Sequence, residues 1–209
     1  MSAKRLIVAS HNQHKIQEIK ELTDHLNFEV VGLPELGDYA PVVEDGDTFR
    51  ENARKKAVEI AQLCGELVLA DDSGLEVDVL GGAPGVHSAR FAGEPPSDQR
   101  NNELLLEKLE GIPLERRGAR FRCVMALAGP QGQVEFSEGI CRGIILLEPR
   151  GTGGFGYDPL FFVPEASLTF AELGSAVKNT ISHRYRAMQG MLQVMERIEA
   201  KKASEKQLT

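Results

Sequence analysis

Two carboxylates stand side by side at Asp71-Asp72, directly behind the apolar run Leu67 to Ala70 and ahead of Ser73-Gly74. Ligands of open α/β sheets gather beyond the carboxyl ends of strands. A carboxylate in such a place could bind Mg²⁺ or take a proton from water. Adjacent strand residues point to opposite faces, so one of the two aspartates is expected to look into a cleft. The plain alternative is an Asp-rich turn closed by Ser and Gly. Glu44, in the loop before the second expected helix, offers another hard oxygen, although a lone loop glutamate is usually just solvated.

A second pattern is electrostatic. Helix N-termini favour acidic side chains, because their unpaired N–H groups carry partial positive charge. The expected helix after Thr48 obeys this, with Asp47 before its cap and Glu51 in its first turn. The first expected helix opens instead on His11-Asn12-Gln13-His14-Lys15, and the last has Lys178 upstream and His183-Arg184 behind the expected cap Ser182. Two such starts in a chain of net charge −7 suggest that an anion occupies them. Side chains that point to solvent or pair with carboxylates would explain them equally well.

Gly151-Thr152-Gly153-Gly154-Phe155-Gly156 matches the dinucleotide fingerprint letter by letter, but the physical content of that motif needs a helix next. The β-like segment Tyr157-Asp158-Pro159-Leu160-Phe161-Phe162-Val163 follows, so a Rossmann reading is rejected. No GxxxxGK[ST] sequence occurs, which excludes a P-loop. What remains is a glycine loop carrying an aromatic ring on which a base could stack, Phe155, with Tyr157 and Asp158 beside it. A tight loop with core aromatics is the competing reading.

These residues need a scaffold. Short apolar strands are expected at Lys4 to Ala9, Phe28 to Gly32 and Leu67 to Ala70, with a helix carrying Ile16, Ile19, Leu22 and Leu26 on one face after the first. Thr48 and Glu51 form a capping box for a helix to about Cys64. A helix around Ser97 to Leu109 precedes two long β segments, Ala119 to Ala128 and Gln133 to Leu147, that read as an antiparallel hairpin. Leu160 to Val163 is a short strand, and a last helix carries Tyr185, Met188, Leu192, Met195 and Ile198 on one stripe. This order predicts an α/β fold with a mixed sheet flanked by helices. Residues 201–209 read as a disordered tail. The three cysteines, Cys64, Cys123 and Cys141, form no metal or disulfide framework and read as small buried hydrophobes, suited to a reducing compartment. No segment is long enough to span a bilayer, and the acidic balance argues against nucleic acid or anionic membrane as partners. A cytoplasmic protein is expected.

Taken in order, these segments resemble the inosine/xanthosine triphosphate pyrophosphatase family, which acts on non-canonical purine nucleotides. Ser10-His11-Asn12-Gln13-His14-Lys15 looks like its (S/T)xNxxK loop, and Thr48-Phe49-Arg50-Glu51-Asn52-Ala53 like its TFxENA helix start. Asp71 to Leu75, Gly81 to Gly85 and Ser88-Ala89-Arg90-Phe91 follow its central signature. Gly151 to Asp158 matches GTGGFGYDP, and Ser182-His183-Arg184 matches SHR.

The resemblance implies an elongated, twisted mixed sheet in a single two-lobed domain, residues 1–200, with a central cleft, and a homodimer. It implies Mg²⁺-dependent hydrolysis of ITP, dITP and XTP to the monophosphate and pyrophosphate. Ser10, His11, Asn12, Gln13, His14 and Lys15 would hold the triphosphate. Glu44 and Asp72 would bind the metal, Asp72 would also be the base, and Ser73 would touch the substrate. Phe155 would stack on the purine, with Gly156, Tyr157 and Asp158 completing the wall, while Lys178, His183 and Arg184 would read its 6-oxo edge. Lys56 and Arg90 lie near the cleft in the family. The rival readings are a Maf-like pyrophosphatase for modified or pyrimidine nucleotides, and a nucleotide-binding module without turnover.

Overall fold

The N-terminal apolar run forms β1 (Lys4–Val8), with Leu6, Ile7 and Val8 sealed from solvent. The computed structural model describes residues 4–24 and 28–206. In α1 (Gln13–Thr23), Ile16, Ile19 and Leu22 are buried on one face, as a 3.6-residue period requires. Leu26, expected to extend that face, lies outside the described residues. The chain returns as β2 (Phe28–Gly32), parallel to β1 with Leu6 opposite Val30.

A short helix, α2 (Leu33–Leu36), precedes α3 (Phe49–Cys64), whose capping box forms as expected. Thr48 Oγ1 accepts from Glu51 N–H and the Glu51 carboxylate accepts from Thr48 N–H, each at 3.1 Å. Gly65 closes this helix in the left-handed conformation (φ 72°), a task suited to glycine.

Next comes β3 (Val68–Val77), parallel to β1 with Ile7 opposite Val68. The strand does not stop at Ala70. Asp71, Asp72, Ser73 and Gly74 all lie inside it, which corrects both the expected strand end and the Asp-rich turn. A strand accommodates buried carboxylates when cations and amides reach them from elsewhere, and here they do.

Helix α4 (Asp98–Lys108) is capped by Ser97, whose Oγ accepts from Arg100 N–H at 3.3 Å. Strands β4 (Gly118–Ala128) and β5 (Val134–Ile145) are sheet neighbours joined by the turn 129–133. A connection that short allows only the expected antiparallel hairpin. Then β6 (Phe161–Val163) pairs antiparallel with β5, and β7 (Leu168–Thr169) antiparallel with β6. The sheet order is β2-β1-β3-β4-β5-β6-β7, a mixed seven-stranded sheet flanked by helices.

A helix not foreseen, α5 (Ser175–Ile181), ends at Ser182 directly before α6 (His183–Lys206). The buried stripe of α6 is Ala187, Met188, Met191, Val194 and Met195, with Tyr185 and Leu192 half-buried. The Ile198 side chain lies outside the described residues. Of the tail expected at 201–209, residues 201–206 continue the α6 backbone, and 207–209 lie outside the described residues. Cys123 and Cys141 are buried as expected, whereas Cys64 is half-buried, and all three are free thiols. No helix among the described residues is long and apolar enough to cross a membrane.

The chain divides into two compact units. The first comprises Met1–Asp72, Val124–Gly139 and Tyr185–Thr209, and the second Ser73–Cys123 and Ile140–Arg184. The buried residues of the first are mainly aliphatic, such as Ile7, Ile19, Ala57, Ile60 and Leu69. The second has an aromatic core in which the Phe121 and Phe161 rings meet at 4.6 Å. There the buried guanidinium of Arg117 donates to the carbonyls of Leu109 (2.7 Å), Ile112 (2.9 Å) and Leu146 (3.1 Å). Three carbonyls beyond the ends of α4 and β5 are thereby satisfied by one side chain.

Candidate active site

In the first unit the candidate residues gather around Asp71 and Asp72, exposed by only 1% and 4%. Lys15, in the first turn of α1, places its Nζ 3.1 Å from Asp71 Oδ2. From α3, Lys56 Nζ reaches Glu44 Oε1 at 2.9 Å, the Asp71 carbonyl at 2.7 Å and Asp72 Oδ1 at 3.7 Å. One helical turn earlier, Asn52 Nδ2 donates to Asp72 Oδ2 at 3.0 Å, while its carbonyl oxygen accepts from Gly46 N–H at 2.8 Å. Glu44 and Asp72 thus share a single ammonium.

The electrostatics follow from this packing. Burial raises the Asp72 carboxyl above its ordinary pKa; Lys56, Lys15 and the Asn52 hydrogen bond pull it down and Glu44 pushes it up, leaving it raised. Burial opposes the Lys56 ammonium, but Asp72, Glu44 and Asp71 outweigh it, so its pKa is pushed up. Among the described residues no three His, Cys, Asp or Glu side chains are grouped to hold a metal ion. Two neighbouring carboxylates suit Mg²⁺, which keeps several waters and takes its other oxygens from phosphates.

The loop before α1 satisfies much of its own backbone. Ser10 Oγ accepts from Asn12 N–H at 3.1 Å, and Asn12 Oδ1 accepts from His14 N–H (3.0 Å) and Lys15 N–H (3.2 Å). Asn12 is therefore the N-cap of α1, and the charge mismatch at this helix start coexists with an ordinary side-chain cap. His11 Nε2 lies 3.1 Å from the Tyr39 carbonyl, and His11, Gln13 and His14 are exposed.

In the second unit, Asp158 Oδ2 accepts from Lys178 Nζ at 2.7 Å and from Phe155 N–H at 3.0 Å. Lys178 also lies 4.9 Å from the centre of the half-buried Phe155 ring. Phe155, Asp158 and Lys178 thus form one cluster within this unit. Lys178, however, sits in the last turn of α5, not ahead of a helix start. There its charge favours the helix dipole, so the expected mismatch at Lys178 is corrected. His183 and Arg184 do open α6, which has no acid in its first turn. The His183 ring stacks on Phe121 at 4.8 Å, and Arg184, exposed by 1%, donates to Ser73 Oγ at 3.0 Å. Tyr157 is a core residue whose hydroxyl donates to the Ser88 carbonyl at 2.8 Å, and its pKa is raised, first by burial and then by Asp98. Arg90 is half-buried in the helical turn Gly85–Arg90.

The glycine loop has a specific requirement at Gly154. Its φ is 73°, and a Cβ there would run into the Asp158 carboxylate. We expect Gly154→Ala to cost about 1–3 kcal/mol through strain and displacement of Asp158, read as a lowered Tm; an unchanged Tm would contradict this account.

Several functional candidates escaped the sequence reading. Asn52 carried a usable signal: it and Lys56 fall on the buried face of α3 with Phe49, Ala53, Ala57 and Ile60. Polar groups in an apolar stripe point to a buried network. Phe121, beneath His183, and Asp98 and Asn102, which touch the glycine loop, had no such signal.

The sequence pattern of the Ham1 family matches residues 6–194. The chain belongs to the Ham1 family. Among its relatives, the dITP/XTP pyrophosphatase of Desulforamulus reducens is 53% identical over 194 residues, covering 93% of this chain and 96% of the relative. The dITP/XTP pyrophosphatase of Bacillus subtilis is 46% identical, covering 92% and 98%. The solved Ham1 protein of Staphylococcus aureus superposes with a TM-score of 0.82 at 41% identity, over 92% of this chain and 98% of that one. That of Coxiella burnetii does so with a TM-score of 0.82 at 39% identity, over 93% and 99%. The resemblance seen in the motifs is thereby confirmed at the level of family and fold.

Proposed function

We propose that this Ham1-family chain hydrolyses dITP, XTP and related non-canonical purine nucleoside triphosphates to the monophosphate and pyrophosphate. The observation that carries the reading is Asp72: a nearly buried carboxylate of raised pKa, flanked by Lys56, Asn52 and Glu44. The names of the matched relatives supply the substrate class. Asp72 takes a proton from the water that attacks the phosphorus nearest the nucleoside, and pyrophosphate leaves. Lys15 and Lys56 stabilise the negative charge that develops, with Ser10 to His14 completing the phosphate contacts. Glu44 and Asp72 would hold Mg²⁺, which when bound neutralises phosphate charge.

Phe155 stacks on the purine, supported by Gly156, Tyr157 and Asp158, and Ser73 contacts the nucleotide. Lys178, His183 and Arg184 donate to a 6-oxo group. An exocyclic amine would leave such donors unpaired, which rejects adenine. The three free thiols suit a reducing compartment such as the cytoplasm. A homodimer, implied by the family resemblance, is checked by light scattering.

The deciding measurement is pyrophosphate release with Mg²⁺ from dITP, XTP, dGTP, ATP and a methylated UTP. We expect fast release from dITP and XTP and little from ATP. Equal rates on all five would overturn the specificity. Preference for methylated UTP would favour a Maf-like activity, and no release would leave a binding module.

A further inference from the structure

Helix α4 carries no residue of the proposed site, yet its first turns grip the glycine loop from both sides of one peptide residue. Asp98 Oδ2 accepts from the Gly156 N–H at 2.7 Å, and Asn102 Nδ2 donates to the Gly156 carbonyl at 2.8 Å. The same Asn102 nitrogen donates to the Asp98 carbonyl, also at 2.8 Å, so both of its hydrogens are engaged. Gly156 has φ 61° and sits between Phe155, the proposed stacking ring, and the core residue Tyr157. Fixing both polar groups of Gly156 leaves its peptide planes little freedom to rotate, and the Phe155 ring is carried by one of those planes.

A second observation concerns the oxygen of the same side-chain amide. The Asn102 side-chain oxygen is buried and finds no hydrogen-bond partner among the described residues. An orphaned buried oxygen is destabilising, and an apolar residue of similar size would avoid it. Local penalties of this kind are retained where function requires them.

We propose that Asp98 and Asn102 are positioning residues that set the plane of the Phe155 ring, and so the affinity for the purine base. The proposal rests on the reading of Phe155 as the purine-stacking residue. A ring held ready binds the base equally in the ground and transition states, so its loss raises KM and spares kcat.

Asn102→Leu removes both donated hydrogen bonds together with the orphaned oxygen. We expect KM for dITP to rise about tenfold, kcat to stay within about threefold, and Tm to change little. Asp98→Ala should raise KM similarly, whereas Asp98→Asn, which keeps an acceptor for the Gly156 N–H, should restore it. An unchanged KM in Asn102→Leu, or a loss confined to kcat, would overturn the proposal. If the wild-type chain releases no pyrophosphate, the hydrolase reading fails and the clamp is decided by binding. The chain has no tryptophan, so Phe155→Trp provides a single fluorophore whose quenching follows dIMP stacking. In that background Asn102→Leu should weaken dIMP about tenfold, and equal affinities would again overturn the proposal.

Discussion

Asp72→Asn slows pyrophosphate release from dITP by roughly 10²- to 10⁴-fold, the range supplied by a positioned proton acceptor, while the folded chain becomes no less stable. Both halves follow from one fact. Burial raises the Asp72 carboxyl, so the folded state binds a proton there more readily than the unfolded state does. A raised carboxyl contributes stability below its unfolded pKa, and that contribution is lost as pH rises through the folded pKa. A neutral amide at this position mimics the protonated carboxyl, so it keeps that contribution at any pH without a proton. Glu44 still pairs with Lys56 at 2.9 Å, so the ammonium keeps a carboxylate. The paired measurements are single-turnover pyrophosphate release and Tm in EDTA at pH 7. Near-wild-type release would remove Asp72 from the role of base. A Tm several degrees lower would mean that its charge stabilises the fold.

The second large effect falls on the Asp158–Lys178 ion pair beside Phe155. Asp158→Ala leaves the Lys178 ammonium with its 2.7 Å partner gone and its side chain only 7% exposed. Removing one member of a buried pair costs about 3–5 kcal/mol, or roughly 6–20 °C in Tm for a chain of this size. Phe155 also loses the acceptor of its N–H, so affinity for dITP falls with stability. Replacing both members, Asp158→Leu with Lys178→Met, should return most of the Tm and none of the affinity. A single variant that melts like the wild type would show that the pair adds little, and a double variant that binds dITP normally would remove Lys178 from base recognition.

The parts of this molecule legible in its sequence were those governed by local rules. The Thr48–Glu51 capping box, the apolar face of α1 and the β4–β5 hairpin each depend on residues a few positions apart. The extent of β3 was not legible, because a strand that contains Asp71 and Asp72 contradicts the apolar pattern. Lys15, Asn52 and Lys56, supplied from two distant helices, help to make their burial tolerable. Helix α5 was missed since seven residues carry no periodic stripe, and that omission put Lys178 at the wrong end of a helix. The residues of the glycine loop were visible as a motif, whereas the side chains that hold it were not. Gly156 is held by side chains more than fifty positions earlier, and His183 by Phe121 across a similar separation.

The buried side chains proposed to recognise the base have a thermodynamic consequence. Lysine and arginine are among the most flexible residues of an unfolded chain, yet Arg184 is 1% exposed and Lys178 is fastened to Asp158. The His183 ring is confined against Phe121. Their rotamer entropy is lost once, when the protein folds, and not again each time a nucleotide arrives. Association with the base should therefore show a small entropic penalty in calorimetry, with discrimination expressed chiefly in the enthalpy of hydrogen bonds made or left unmade.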